Sequence, residues 1–135
     1  MLLYILCLTL FNWSAHTMTI EVSNIQTGTG QVLIAVYNKS DGFMSEDKAI
    51  FKKSYSVSKS GSITVTLPDC KDGDYAISCF HDVNGNGVLD KNLFGVPTAP
   101  YGFSQNVRPK FRAPSWEESK FDFNGQQVNI RLDKW

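Results

Sequence analysis

Asp82, Asn84 and Asn86 alternate along the chain, Gly87 follows at once, and Asp90 comes three residues later. Side-chain oxygens at every second residue of a tight loop converge on one point, which is how a protein holds a hard cation. The spacing is that of the first nine positions of an EF-hand-type loop: ligands at one, three and five, glycine at six, a backbone carbonyl at seven (Val88) and a ligand at nine. Leu93 stands at position twelve, where a full loop has a bidentate glutamate. Mixed carboxylate and amide donors suit calcium better than magnesium, and zinc prefers nitrogen and sulfur. Only Asp82 and Asp90 bring charge. The expected calcium affinity is therefore weak, roughly 10⁻⁴–10⁻³ M, unless Asp41, Asp72, Asp74 or a backbone carbonyl completes the shell. The competing reading is a metal-free Asx-turn loop, because asparagine and glycine also dominate ordinary turns.

Other reactive groups are sparse. His81 precedes the loop and His16 lies near the N-terminus. A histidine beside an aspartate has the chemistry of a general base, and a metal-assisted hydrolase is one alternative function. No serine sits in a nucleophile elbow, however, and no histidine pair holds a catalytic metal, so His81 is expected to order the loop. Glu117 and Glu118 are neighbours that cannot face each other, and they fit a short helical turn capped by Ser115. No catalytic residue is assigned, and an enzyme is the less expected class. The rings of Tyr101, Phe103, Phe111 and Trp116 offer a stacking platform for a glycan or a peptide. The plainer alternative is that they pin the long 91–119 segment to the body of the protein.

The elements that must position these groups are nearly all strands. Met18-Ile20-Val22 alternates with polar residues, and Val32–Tyr37 is apolar on both faces, as in a central strand. Residues 44–50 suit a helical turn capped by Ser45. Phe51–Val57 reads as an edge strand guarded by Lys52 and Lys53. Ser62–Leu67 and Asp74–Phe80 read as an antiparallel hairpin, and Lys120–Phe123 with Val128–Leu132 as another across Asn124-Gly125. About seven short strands predict an all-β chain, an antiparallel β-sandwich of immunoglobulin-like or transthyretin-like type.

At 135 residues and zero net charge the chain is one domain, and the charge argues against a nucleic-acid partner. Arg108, Lys110 and Arg112 form a basic cluster that reads as a solvated loop. Met1–Phe11 is an uncharged apolar run too short to span a bilayer. It predicts a signal peptide over residues 1–17, a mature domain over 18–135 without a membrane span, and a secreted or periplasmic location. Cys70 lies in a turn and Cys79 several residues up the next strand, a separation that favours two free thiols over a disulfide.

Several segments recur together: Leu67-Pro68, Gly73-Asp74-Tyr75-Ala76, His81–Asp90, Phe94-Gly95-Val96-Pro97, Tyr101-Gly102-Phe103-Ser104 and Ala113-Pro114-Ser115-Trp116. In this order they resemble the bacterial domain of unknown function 2141, over about residues 18–133. The resemblance implies a secreted or periplasmic bacterial β-sandwich with no established activity. The sandwich is also similar to the transthyretin-like group, which includes a hydrolase of urate breakdown. That enzyme's terminal Tyr-Arg-Gly-Ser is missing from a chain that ends Leu132-Asp133-Lys134-Trp135, so the analogy lends no function. The expected protein is thus an exported, non-enzymatic β-sandwich with a calcium-type loop.

Overall fold

The computed structural model describes residues 15–135, and the expected leader up to Ser14 lies outside them. The strands are β1 (Ala15–Ile25), β2 (Gln31–Tyr37), β3 (Phe51–Ser56), β4 (Gly61–Lys71), β5 (Gly73–Asp82), β6 (Tyr101–Phe103), β7 (Phe121–Phe123) and β8 (Val128–Arg131). They form an all-β sandwich of two packed sheets. One sheet has the order β4-β1-β8; the other runs β3-β2-β5-β6, with β7 beside β6 along the same edge of β5. Ala15, His16 and Thr17 extend the start of β1, where Ala15 and His16 pair with Lys71 and Cys70.

Period-2 alternation builds the core. Met18, Ile20 and Val22 from β1 meet Val32, Ile34 and Val36 from β2, Ile77 and Cys79 from β5, and Ile130 from β8, all buried. Both remaining thiols are free and buried, Cys70 bonding to the Leu67 carbonyl and Cys79 to that of Gly102. Burial pushes the Cys79 thiol up to about 12.

Neither expected hairpin forms. β4 pairs with β1 and β5 with β2, so the Asp72-Gly73 turn carries the chain from one sheet to the other. Likewise β7 joins β5, while β8 runs parallel to β1, the one parallel pair among the named strands. In each case both flanking segments carry apolar residues destined for a two-sheet core, and inter-sheet packing prevails over the local turn. The 91–119 segment is also less irregular than its composition suggests, since it contributes β6 and a helical turn α1 (Trp116–Ser119). Ser115 does cap α1, in a capping box with Glu118. Ser45 does not cap the 3₁₀ turn Glu46–Lys48; its hydroxyl goes to the Asp47 carboxylate.

Candidate functional site

β5 delivers the loop. Alternation along this strand turns Tyr75, Ile77, Cys79 and His81 into the core, and Ser78, Phe80 and Asp82 towards the outer face of the larger sheet. Asp82 is only 1% exposed, and its carboxylate is held by three hydrogen bonds. It accepts hydrogen bonds from the amides of Gly87 (2.6 Å) and Asn86 (3.2 Å) and from Gln31 Nε2 (3.1 Å). Burial opposes its charge, but the bonds from Gly87, Gln31, Asn86 and Gly85 outweigh burial and hold the carboxyl below the usual aspartate range. The base of the loop is fixed from the other side by Gly30. With φ of +74°, its missing Cβ would lie 2.1 Å from the Asp82 carbonyl oxygen.

The tip closes on Asp90. Asn84 Nδ2 donates to Asp90 Oδ2 and Asn86 Nδ2 to Asp90 Oδ1, both at 3.2 Å, while the Val88 amide donates to Asn86 Oδ1 at 3.1 Å. The three side chains meet at one point. Rotating each carboxamide by 180° turns its oxygen to that point, the arrangement a hard cation requires, at the expense of the Val88 bond. The donor set fits calcium in kind and falls short in number. Leu93 is fully exposed and supplies no ligand atom from its side chain. Asp72 and Asp74 lie at the far end of β5, about 30 Å away along a ten-residue strand. Asp41 follows Tyr37, which pairs with Ala76 near that same distant end. None of the three completes the shell. Among the described residues, no three His, Cys, Asp or Glu side chains gather as a metal cluster.

His81 stands apart from this chemistry. It is 1% exposed, faces the core, and its Nε2 donates to the Thr29 carbonyl at 2.7 Å. Its Nδ1 is buried without a partner. The ring is therefore on the opposite side of β5 from the loop donors, and a role as base for a loop-bound metal does not fit that geometry.

Beyond the loop, Asn92 organises a tight turn: its Oδ1 accepts from the amides of Phe94 (2.9 Å) and Val96 (3.1 Å). Asp90 anchors the return, its carbonyl accepting from the Thr98 amide at 2.8 Å. The turn holds Phe94 out in solvent at 89% exposure. Nothing in the spacing singles out Asn92, since an asparagine before an apolar pair is common in loops.

The four aromatic candidates separate. Phe103 is buried in β6, and Trp116 packs edge-on against Phe43 at 5.9 Å. Tyr101 is half-buried beneath Arg108, whose guanidinium carbon lies 4.2 Å from the ring centroid. Phe111 stands 85% exposed, against Trp135 at 5.6 Å. Tyr101, Phe103 and Phe111 line a groove of about 610 Å³ on the outer face of the larger sheet; Trp116 is not part of its lining. Leu33 and Ala35 of β2 and Phe80 of β5 belong to its floor. One wall includes Val88, Leu89 and Phe94, so the cation-type loop is itself part of the groove. The opposite wall is the 109–114 segment, tied down by Arg112, which pairs through both terminal nitrogens with Glu118 at 2.6 and 3.2 Å. The volume falls in the range of small-molecule sites. Among the described residues eight large hydrophobic side chains are exposed, and five of them (Met44, Val88, Phe94, Phe111 and Trp135) line this one groove. Clustering of that kind is characteristic of surfaces that bind a partner or ligand. The groove was not legible from sequence, because its floor comes from β2, β5 and β6 and its walls from two separate loops.

A crystal structure of a fimbrial assembly protein from Parabacteroides distasonis is similar at 13% identity and a TM-score of 0.46; the match covers 90% of this chain and 53% of that one. No curated protein matches. Among the described residues no helix is long and apolar enough to cross a membrane. Residues 20–131 match the family described as "Uncharacterized protein conserved in bacteria (DUF2141)", and the chain belongs to that family.

Proposed function

We propose that this protein is an exported, non-enzymatic β-sandwich that binds a ligand in the outer-face groove and uses a weak calcium ion at Asp82–Asp90 to hold one wall of it. The observation that carries this reading is the double duty of the loop. Asn84, Asn86 and Asp90 converge on one point, and Val88 and Leu89 from the same loop line the groove. Asp82, Asn84, Asn86 and Asp90, with the Val88 carbonyl, would hold the ion. When bound, it would neutralise the two carboxylates and cross-link the loop. Export is supported by the uncharged apolar run Met1–Phe11.

The test is a melting curve in calcium and in chelator. At a calcium concentration ten- to a hundredfold over the dissociation constant, binding to the folded state alone adds about 1.4–2.7 kcal/mol. The melting temperature should rise by several degrees, and Asp90→Ala should abolish the rise. No shift at millimolar calcium would remove the ion from the account. Cell fractionation of the full-length chain tests export. A glycan or peptide in the groove is the ligand class expected from sequence. Tyr101, Phe103 and Phe111 line the groove, whereas Trp116 packs against Phe43 outside it.

A further inference from the structure

We infer that the groove takes a single-chain amphiphile with an anionic head, a long-chain carboxylate, with its tail along the sheet and its head beside Arg108, Lys110 and Lys134. This rests on the reading of the groove as a binding site and names the ligand class.

Two features of the cavity carry it. The body of the groove is largely apolar, floored by Leu33, Ala35 and Phe80 and flanked by Phe94 and Phe111 from two different loops. Its polar side chains are mostly spoken for: Lys52 pairs with Glu46 at 2.6 Å and Arg112 with Glu118. A glycan would find few hydrogen-bonding partners there. The second feature is a hollow of about 390 Å³ that shares Tyr101, Pro109, Phe111 and Trp135 with the groove. It adds Arg108, Lys110 and Lys134, and no Asp or Glu side chain lines it.

Arg108 is the fixed member of this cationic end. It donates to the carbonyls of Tyr101 and Asp133, each at 2.8 Å, and lies over the Tyr101 ring. Carbonyls and a ring face orient the guanidinium without cancelling its charge. An apolar trough that opens onto three cations complements a molecule with a long hydrocarbon body and one negative end. A bilayer presents a plane and cannot lay a chain along a floor recessed between Phe94 and Phe111.

The experiment is calorimetric titration of the protein with octanoate, decanoate and dodecanoate below their micellar concentrations. Dodecyltrimethylammonium, a maltooligosaccharide, an unstructured peptide and anionic phospholipid vesicles serve as comparison probes. Affinity should rise up to about fourfold per added methylene, the equivalent of full burial of each. Dodecyltrimethylammonium should bind at least tenfold more weakly than dodecanoate. Lys110 and Lys134 are exposed, so the double variant Lys110→Glu/Lys134→Glu should fold normally and lose at least tenfold for dodecanoate while keeping the chain-length gradient. Phe94→Ser, at another exposed position, should flatten the gradient. Equal binding of the two dodecyl heads, no dependence on chain length, or binding to vesicles alone would overturn the inference. Binding of the oligosaccharide or peptide that Phe111→Ala removes, without dodecanoate binding, would overturn the amphiphile and leave the groove standing. If no probe binds in a Phe111-dependent way, both readings fall.

Discussion

Individual side chains in this molecule act mainly by satisfying backbone groups. Asp82 is the clearest case: its carboxylate gathers two loop amides, so it shapes the loop before any ion arrives. Its spacing to Asn84 and Asn86 is plain in the sequence, but its burial is not, because that follows from Gly30 packing against the strand end from a distant segment. Glu118 has a similar position at the groove's other wall. The Arg112 guanidinium, together with the Ser115 amide and hydroxyl, holds its carboxyl down at about 2. A group with a depressed value contributes fully above the ordinary glutamate range and loses that contribution as pH falls through the depressed value. We therefore expect the Glu118 carboxyl, followed by NMR, to titrate near 2, and the Arg112 contact to persist until then. A midpoint in the ordinary glutamate range would mean that the pair does not hold in solution.

At the scale of elements, strand identity was readable and strand partnership was not. Alternation located β1, β2, β4, β5 and β8, because each carries an apolar face for the core. The partners of β4 and β8 were missed because turn chemistry is local, whereas pairing across the sandwich is decided by which apolar faces meet. Ser104 shows what such local reading overlooks. It is wholly buried, accepts from the Ile77 amide at 2.9 Å and donates to the Ser119 carbonyl at 2.6 Å, joining β5 to α1. Ser104→Ala leaves both backbone groups without a partner, so a loss of about 2 kcal/mol in denaturant unfolding is expected. An unchanged midpoint would show that water replaces the hydroxyl. Gly30→Ala should be worse, about 2–3 kcal/mol, because the new methyl meets the Asp82 carbonyl and the backbone sits at positive φ. It should also weaken any calcium response, since the base of the loop must shift.

As a whole molecule, the sandwich gathers most of the exposed large hydrophobic side chains of its described residues around one face. The exposed rings, the Asn92 turn, the cation-type loop and the Arg108 end all lie around the outer surface of the larger sheet, where Lys52 of β3 also lies. The fold class and the loop were legible from residue types and spacing. The groove emerges only once β2, β5 and β6 are side by side. The central claim is that a calcium ion at Asp82–Asp90 orders a wall of that groove. Amide hydrogen exchange over residues 84–97, in millimolar calcium and in chelator, tests it most directly. Protection should rise in calcium along both the loop and the Asn92 turn, and Asp90→Ala should cancel the rise. Equal exchange in the two conditions would contradict the claim.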